Sequence, residues 1–365
     1  MNELETLVTD PSFSTIVCLG TGGVGKTTTA AALGVLAARH GRRCLVITID
    51  PAARLAQALG MDEWGASAEP VDIPHVPGLS LLQLNPSAVF DDAIRSALPA
   101  HRSDSLLTNR YYRIVADAFA GSTDYMAIEL LGRLRAQEAT PWDLLIVDTA
   151  PSVSALEVLD APDRLAAFTD SRFVKLLRGV LPNEATNKGN RVVRSAMSLI
   201  LGEALITGIA EMLNGVHEAL LAMRERARHT LQSLKSESTA FILVTRPAAA
   251  QISEAQDFTD QVRQRGFDLH LCVVNQVQSS AMIPGETPDA LRTIARSLEG
   301  ELSNSTAQNV AEAIRVRIEK LRQQEIAHEL VAEIQKATRS VVVRLPRAHT
   351  LDDVSSLAQL IDRAY

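Results

Sequence analysis

The chain has 365 residues, 46% of them hydrophobic, enough to bury a sizeable core in one large α/β domain or two ordinary ones. Its 43 acidic and 36 basic side chains leave a formal net charge of −7 with no dense Lys/Arg run, so nucleic acid is not expected as a partner. The acidic opening MNELETLVTDPS lacks a signal peptide's basic flank and apolar run, and the apolar stretch 198–223 is broken by Glu203, Glu211, Asn214, His217 and Glu218. Secretion and stable membrane insertion are both disfavoured, and a cytoplasmic location is expected.

Along the chain, short β-branched runs occur at 15–19, 45–49, 79–84, 144–147, 241–245, 271–274 and 341–345, mostly separated by helical patterns. Most are apolar without alternation, which predicts strands covered on both faces. Their succession with helices predicts an α/β fold with a doubly wound, mainly parallel sheet. Two helix-rich stretches, 86–140 and 161–235, exceed what single crossovers require and are expected to form a helical subdomain inserted into a single domain spanning 1–365. A further helical insertion is expected over 287–338, before the last strand, ending in a long helix with charged faces.

Cys18, Cys44 and Cys272 each lie in an apolar β-type run, where cysteine behaves as a small buried hydrophobe. No CxxC pair exists to build a thiol zinc site. In the helical stretches, Met126, Leu130 and Leu134 recur at helical spacing. So do Leu201, Leu205, Ile209, Met212, Val216, Leu220 and Met223. Such stripes are either ordinary core or a groove for a hydrophobic helical client, to which flexible methionines are suited.

The stretch CLGTGGVGKTTTAAALG, 18–34, carries the clearest chemistry. Gly20, Gly25, Lys26 and Thr27 satisfy G-x-x-x-x-G-K-[ST] after a predicted strand and before a predicted helix, the context of a phosphate-binding P-loop. Backbone N–H groups across Gly20, Thr21, Gly22, Gly23, Val24, Gly25, Lys26, Thr27 and Thr28 would close around phosphate oxygens, aided by the helix dipole. Lys26 would reach the terminal phosphates and the Thr27 hydroxyl would ligate magnesium. Asp50 and Asp148 stand at the C-terminal ends of two other predicted strands, the sheet edge where ligands bind in open α/β folds. In a phosphoryl-transfer site one would position water and the other would hold magnesium, although a strand-end Asp is also a common helix cap.

GTGGVGKTT, TIDPAARL, VDTAPSVSAL, VVNQ and the tail VVVRLPRAHTLDDVSSLAQLI resemble, in this order, the motifs of the arsenite-pump and tail-anchored-protein-targeting ATPases. The resemblance implies that Asp50 orients the attacking water, that Asp148 belongs to the Mg2+ shell, and that ATP is the nucleotide. It also implies that Asn275 reads adenine and that Pro346 packs against the base. It further implies a dimer that closes on ATP, joins two helical regions and thereby controls a client. Val153, Ser154 and Ala155 depart from the family's second switch, and Ala53 and Arg54 from its first, as in a divergent bacterial-type branch.

Thr21 occupies the position at which the family carries a lysine that reaches the partner's nucleotide. A cation delivered in trans is worth about 10³ to 10⁵ in rate, too much for a hydroxyl to replace. Three readings follow: Arg54 substitutes as a catalytic cation, a related lysine-bearing subunit supplies it in a heterodimer, or the chain is a slow ATPase used as a switch. The competing functions are the ATPase subunit of an anion or metalloid efflux pump and a nucleotide-binding scaffold with negligible turnover.

Overall fold

The computed structural model describes residues 2–49, 55, 70–73, 75–113, 116, 123–136, 141–150, 203–278, 286–301 and 305–346. Among the described residues eight strands form one sheet: β1 (Thr15–Leu19), β2 (Cys44–Thr48), β3 (Val71–Asp72), β4 (Leu79–Gln83), β5 (Leu144–Asp148), β6 (Thr239–Thr245), β7 (Leu269–Val277) and β8 (Val341–Pro346). Their spatial order is β3-β4-β2-β5-β1-β6-β7-β8, parallel throughout except for the antiparallel edge pair β3–β4. All seven sequence-predicted runs are strands. The eighth, β3, is two residues long and has no periodicity to read.

Both faces of the central strands are covered, which is why they read as continuous apolar runs. Ile16 and Cys18 of β1 join a core with Leu4 and Leu7 of α1 (Glu3–Thr9) and the buried alanine-rich body of α2 (Lys26–Arg39). Val17 and Leu19 join a second core on the other face. It runs through α3 (Pro86–Ala97), α4 (Ala100–Leu107), α5 (Thr123–Ala136), α6 (Glu203–Leu234) and α7 (Ala249–Gln264). Helices α8 (Pro288–Glu301) and α9 (Ser305–Thr338) pack together before β8, within the range where a late helical insertion was expected, and α9 also packs on α7.

Helices of the two long stretches meet directly: α6 packs on α3, α4 and α5. Met126, Leu130, Met212, Val216, Leu220 and Met223 are all buried, and Leu134 packs against them half-buried. For these residues the stripes are core, continuous with the sheet face, rather than an open groove. Leu201 and the side chains of Leu205 and Ile209 lie outside the described residues, as does 151–202, which contains much of the expected second stretch.

Two polar contacts set how this helical layer sits. Arg226 of α6 donates from Nε to Glu129 Oε1 of α5 at 2.8 Å, with Nη2 2.7 Å from the same oxygen. Burial pushes the Glu129 carboxyl up despite the guanidinium beside it. At the C-terminal end of α5, Arg135 donates to the hydroxyls of Thr15 at 2.6 Å and Thr239 at 3.2 Å. These bonds fasten α5 to the first residues of β1 and β6, at the opposite edge of the sheet from the loop after β1. Among the described residues no helix is long and apolar enough to cross a membrane.

Candidate phosphate-binding site

The turn after β1 is built by backbone conformations that only glycine adopts without strain. Gly20, Gly23 and Gly25 have φ of 141°, 72° and 97°. Gly25 is the N-cap of α2 in the left-handed region, so the chain curls through a positive-φ residue directly into the helix. A Cβ at Gly20 would overlap the backbone oxygen of Val244, and one at Gly25 would overlap the Asn275 amide. Gly20 therefore needs glycine for space as well as for φ, whereas at Gly25 a Cβ would require the Asn275 amide to move and φ is the firmer constraint. Gly22 and Gly23 are exposed, Val24 is buried, and Thr21, Thr27 and Thr28 are half-buried.

Lys26 opens α2 and is 5% exposed, yet its chain points back across the loop, where Nζ donates to the Thr21 carbonyl at 2.8 Å. Thr29 in the next turn returns its hydroxyl to the Gly25 carbonyl at 2.9 Å, tightening the helix start. The loop thus brings a buried ammonium to the N-terminus of a helix, an arrangement suited to negative oxygens.

Asp148 ends β5, which lies beside β1 with Cys18 paired to Asp148. It is fully buried and accepts from the Thr48 hydroxyl at 3.3 Å, while its carbonyl accepts from Ile49 N at 3.0 Å. The next residue, Thr149, donates to the Cys18 carbonyl at 2.7 Å and so ties the end of β5 to the entry of the loop. Cys18 reports the surrounding field. Burial pushes its thiol well above the ordinary range, the Asp148 charge raises it further, and Lys26 opposes them. Asp148, beside Cys18 on the neighbouring strand, and Lys26 in the loop after β1 are thus both near enough to act on this thiol. Asp50, Arg54 and the departures at Ala53, Val153, Ser154 and Ala155 lie outside the described residues.

Asn275 and Pro346 sit on the same sheet edge, near the ends of β7 and β8. Asn275 Nδ2 donates to the Val24 carbonyl at 3.0 Å, and its Oδ1 accepts from Gln276 N at 2.8 Å. These bonds clamp the P-loop from the side and leave one N–H and further acceptor capacity on the amide. The clamp coincides with an irregularity: Gln276 has φ 60°, and the β7–β8 register shifts between Val274 and Val277, which pairs with Pro346. Backbone strain of this kind gathers where a side chain must be held at an unusual angle.

The structure adds residues that sequence reasoning did not find. The Thr21 hydroxyl donates to Gln251 Oε1 at 3.0 Å, an oxygen that also accepts from Thr245 at 3.3 Å. Thr245 ends β6, so the strand-end rule that singled out Asp50 and Asp148 would have marked it. Gln251, 230 residues from Thr21 and inside an ordinary helical pattern, carries no such signal.

The three cysteines are buried in β1, β2 and β7. Cys18 pairs with Asp148 and Cys44 with Leu144 across the intervening β5, four residues apart along that strand, roughly 13 Å at the rise of a strand. Cys272 faces the other core, and burial pushes its thiol up to about 12. The three thiols do not converge.

A family model for anion-transporting ATPases matches residues 13–283. Among curated proteins the chain is similar to ATPase GET3B of Arabidopsis thaliana, 27% identical over 304 residues, covering 76% of this chain and 67% of that protein. ATPase GET3C of the same plant is 26% identical, covering 71% and 65%, so this chain spans about two thirds of the length of either. ATPase ASNA1 homolog 2 of Paramecium tetraurelia is 24% identical, covering 75% and 79%. With the P-loop geometry, the strand-end Asp148 and a match over residues 13–283, the chain belongs to the anion-transporting ATPase family.

Proposed function

We propose that this protein is a Mg2+-dependent ATP hydrolase whose nucleotide-driven dimer opening and closing controls a helical client- or partner-binding subdomain, as in a tail-anchored-protein-targeting ATPase. The observation that carries the reading is the buried Lys26, its Nζ on the Thr21 carbonyl of a loop whose Gly20 admits no side chain, with Asp148 ending the strand next to β1. The donor set fits a magnesium-bound triphosphate: backbone N–H groups and one buried ammonium for phosphate oxygens, a hydroxyl and a carboxylate for a hard cation. When bound, the metal would neutralise charge on the terminal phosphates.

In this reading the N–H groups of residues 20–28 hold the phosphates, Lys26 fixes the terminal one, and Thr27 and Asp148 hold Mg2+. Asp50 orients the attacking water. Asn275, already fixed beside Val24, turns its remaining hydrogen-bonding capacity to adenine, with Pro346 against the base. The missing cation comes from Arg54 or from a related lysine-bearing subunit, and the working unit is a homodimer or that heterodimer, in the cytoplasm. The helical layer of α3–α6 is the responsive part, since its core is shared with strands that end at the site.

The efflux-pump alternative is weakened by the scattered, buried thiols, which offer no shared soft-ligand set. A scaffold with negligible turnover is favoured by one observation, the engagement of the Thr21 hydroxyl by Gln251 within the same chain. Light scattering and phosphate release on the purified chain separate these readings. The targeting-ATPase reading expects measurable Mg2+-dependent turnover and a rise to dimer mass with ATP. Tight binding with no turnover, alone or with a related subunit, selects the scaffold instead.

A further inference from the structure

The geometry points to Gln251 as a positioning residue that pre-orders the P-loop by tethering Thr21 from helix α7. This rests on the proposal that the loop binds Mg-ATP. The amide orientation of Gln251 is set by Glu254 one turn on, which accepts from Nε2 at 2.6 Å. With the N–H side committed to a carboxylate, Oε1 turns to the loop and takes two hydroxyl donors, Thr21 at 3.0 Å and Thr245 at 3.3 Å. Every partner in this relay has the correct polarity. The relay connects the tip of β6, the first turns of α7 and the P-loop.

Its target is informative. Thr21 lies between Gly20 and the pair Gly22–Gly23, so its neighbours have no side chains with which to restrain the loop. The carbonyl of this same residue is the one that receives Lys26 Nζ. Holding the Thr21 hydroxyl therefore holds the peptide against which the lysine is aimed. Gln251 need not touch the nucleotide to matter: ordering the loop beforehand removes an entropic cost that a phosphate ligand would otherwise meet on binding. Because the single Thr21 hydroxyl proton is committed to Gln251, Thr21 acts here as a loop anchor and not as a donor to phosphate.

The test is a double-substitution cycle on the full chain, read by calorimetric titration with Mg2+ and the non-hydrolysable analogue AMP-PNP and by steady-state hydrolysis. Gln251→Ala and Thr21→Val are each expected to weaken binding about fivefold, the scale of one intramolecular hydrogen bond. The double variant should be no weaker than either single one. Thr21→Ser, which keeps the hydroxyl, should recover most of the loss. KM should rise in Gln251→Ala with kcat within about twofold of the original, a split that general loosening of the fold would not give. Should Gln251→Ala not fold, Thr21→Val against Thr21→Ser still tests the tether. Unchanged affinity in the singles, or losses that multiply in the double, overturns the tether alone. Absence of AMP-PNP binding by the unsubstituted chain overturns it together with the nucleotide reading.

Discussion

Lys26→Met is expected to lower kcat/KM for Mg-ATP by about 10² to 10³-fold, the loss of one preorganised donor in a water-poor site, or about 3–4 kcal/mol of transition-state stabilisation. The size of the effect follows from where the charge sits. Lys26 is nearly fully buried, with its Nζ on the Thr21 carbonyl, so most of the cost of desolvating it has been met before nucleotide binds. Charge developing on the transferred phosphoryl oxygens would meet a buried ammonium in low dielectric, where each interaction is worth far more than in water. Methionine keeps the length and apolar packing of the stem, so the variant should stay folded. A phosphate-release assay with a thermal melt on the same sample checks both halves, and turnover near the original value would remove Lys26 from the mechanism.

Gly20→Ala is expected to have the largest effect on folding, at least about 3 kcal/mol, read as a lowered urea midpoint with an unchanged slope. Two independent causes coincide. At φ 141° an L-residue is strained, and its Cβ would overlap the Val244 oxygen, which is main chain in β6 and has no rotamer through which to yield. Relief would have to come from separating β1 and β6 near the Leu19–Leu243 pair, in the middle of the sheet. Gly23→Ala is the control. That position also has positive φ, but nothing stands near where its Cβ would be, so its cost should be that of backbone strain alone, about 1–2 kcal/mol.

Much of the fold is legible in the sequence because the sheet is covered on both faces. Continuous runs such as TIVCL and LLIVD leave little choice but buried parallel strands, and the G-x-x-x-x-G-K-T pattern marks where the first strand turns into a helix. Two-residue β3 is invisible because a strand that short has no period. The methionine-bearing stripes were ambiguous from spacing alone, since a core face and an open groove share the same periodicity. Burial of Met126, Met212 and Met223 decides for core at those positions.

At the site, motif residues are legible and their supports are not. Lys26 and Asp148 follow from local pattern and strand ends, whereas the partners that hold the loop come from distant chain. Asn275 bonds Val24 from 251 residues away and Gln251 bonds Thr21 from 230, contacts that only the spatial order β1-β6-β7 creates. The positive φ of Gln276 is likewise beyond sequence reasoning, because a glutamine inside a strand signals nothing unusual.

The most direct test of the central claim is a crystal structure of the full chain with Mg2+ and AMP-PNP. The account predicts phosphates enclosed by the N–H groups of residues 20–28, with Lys26 Nζ transferred from the Thr21 carbonyl to the terminal phosphate and the metal bound by Thr27 on the side of Asp148. Nucleotide bound elsewhere, or bound with Lys26 still on Thr21 and the metal remote from Asp148, would contradict it.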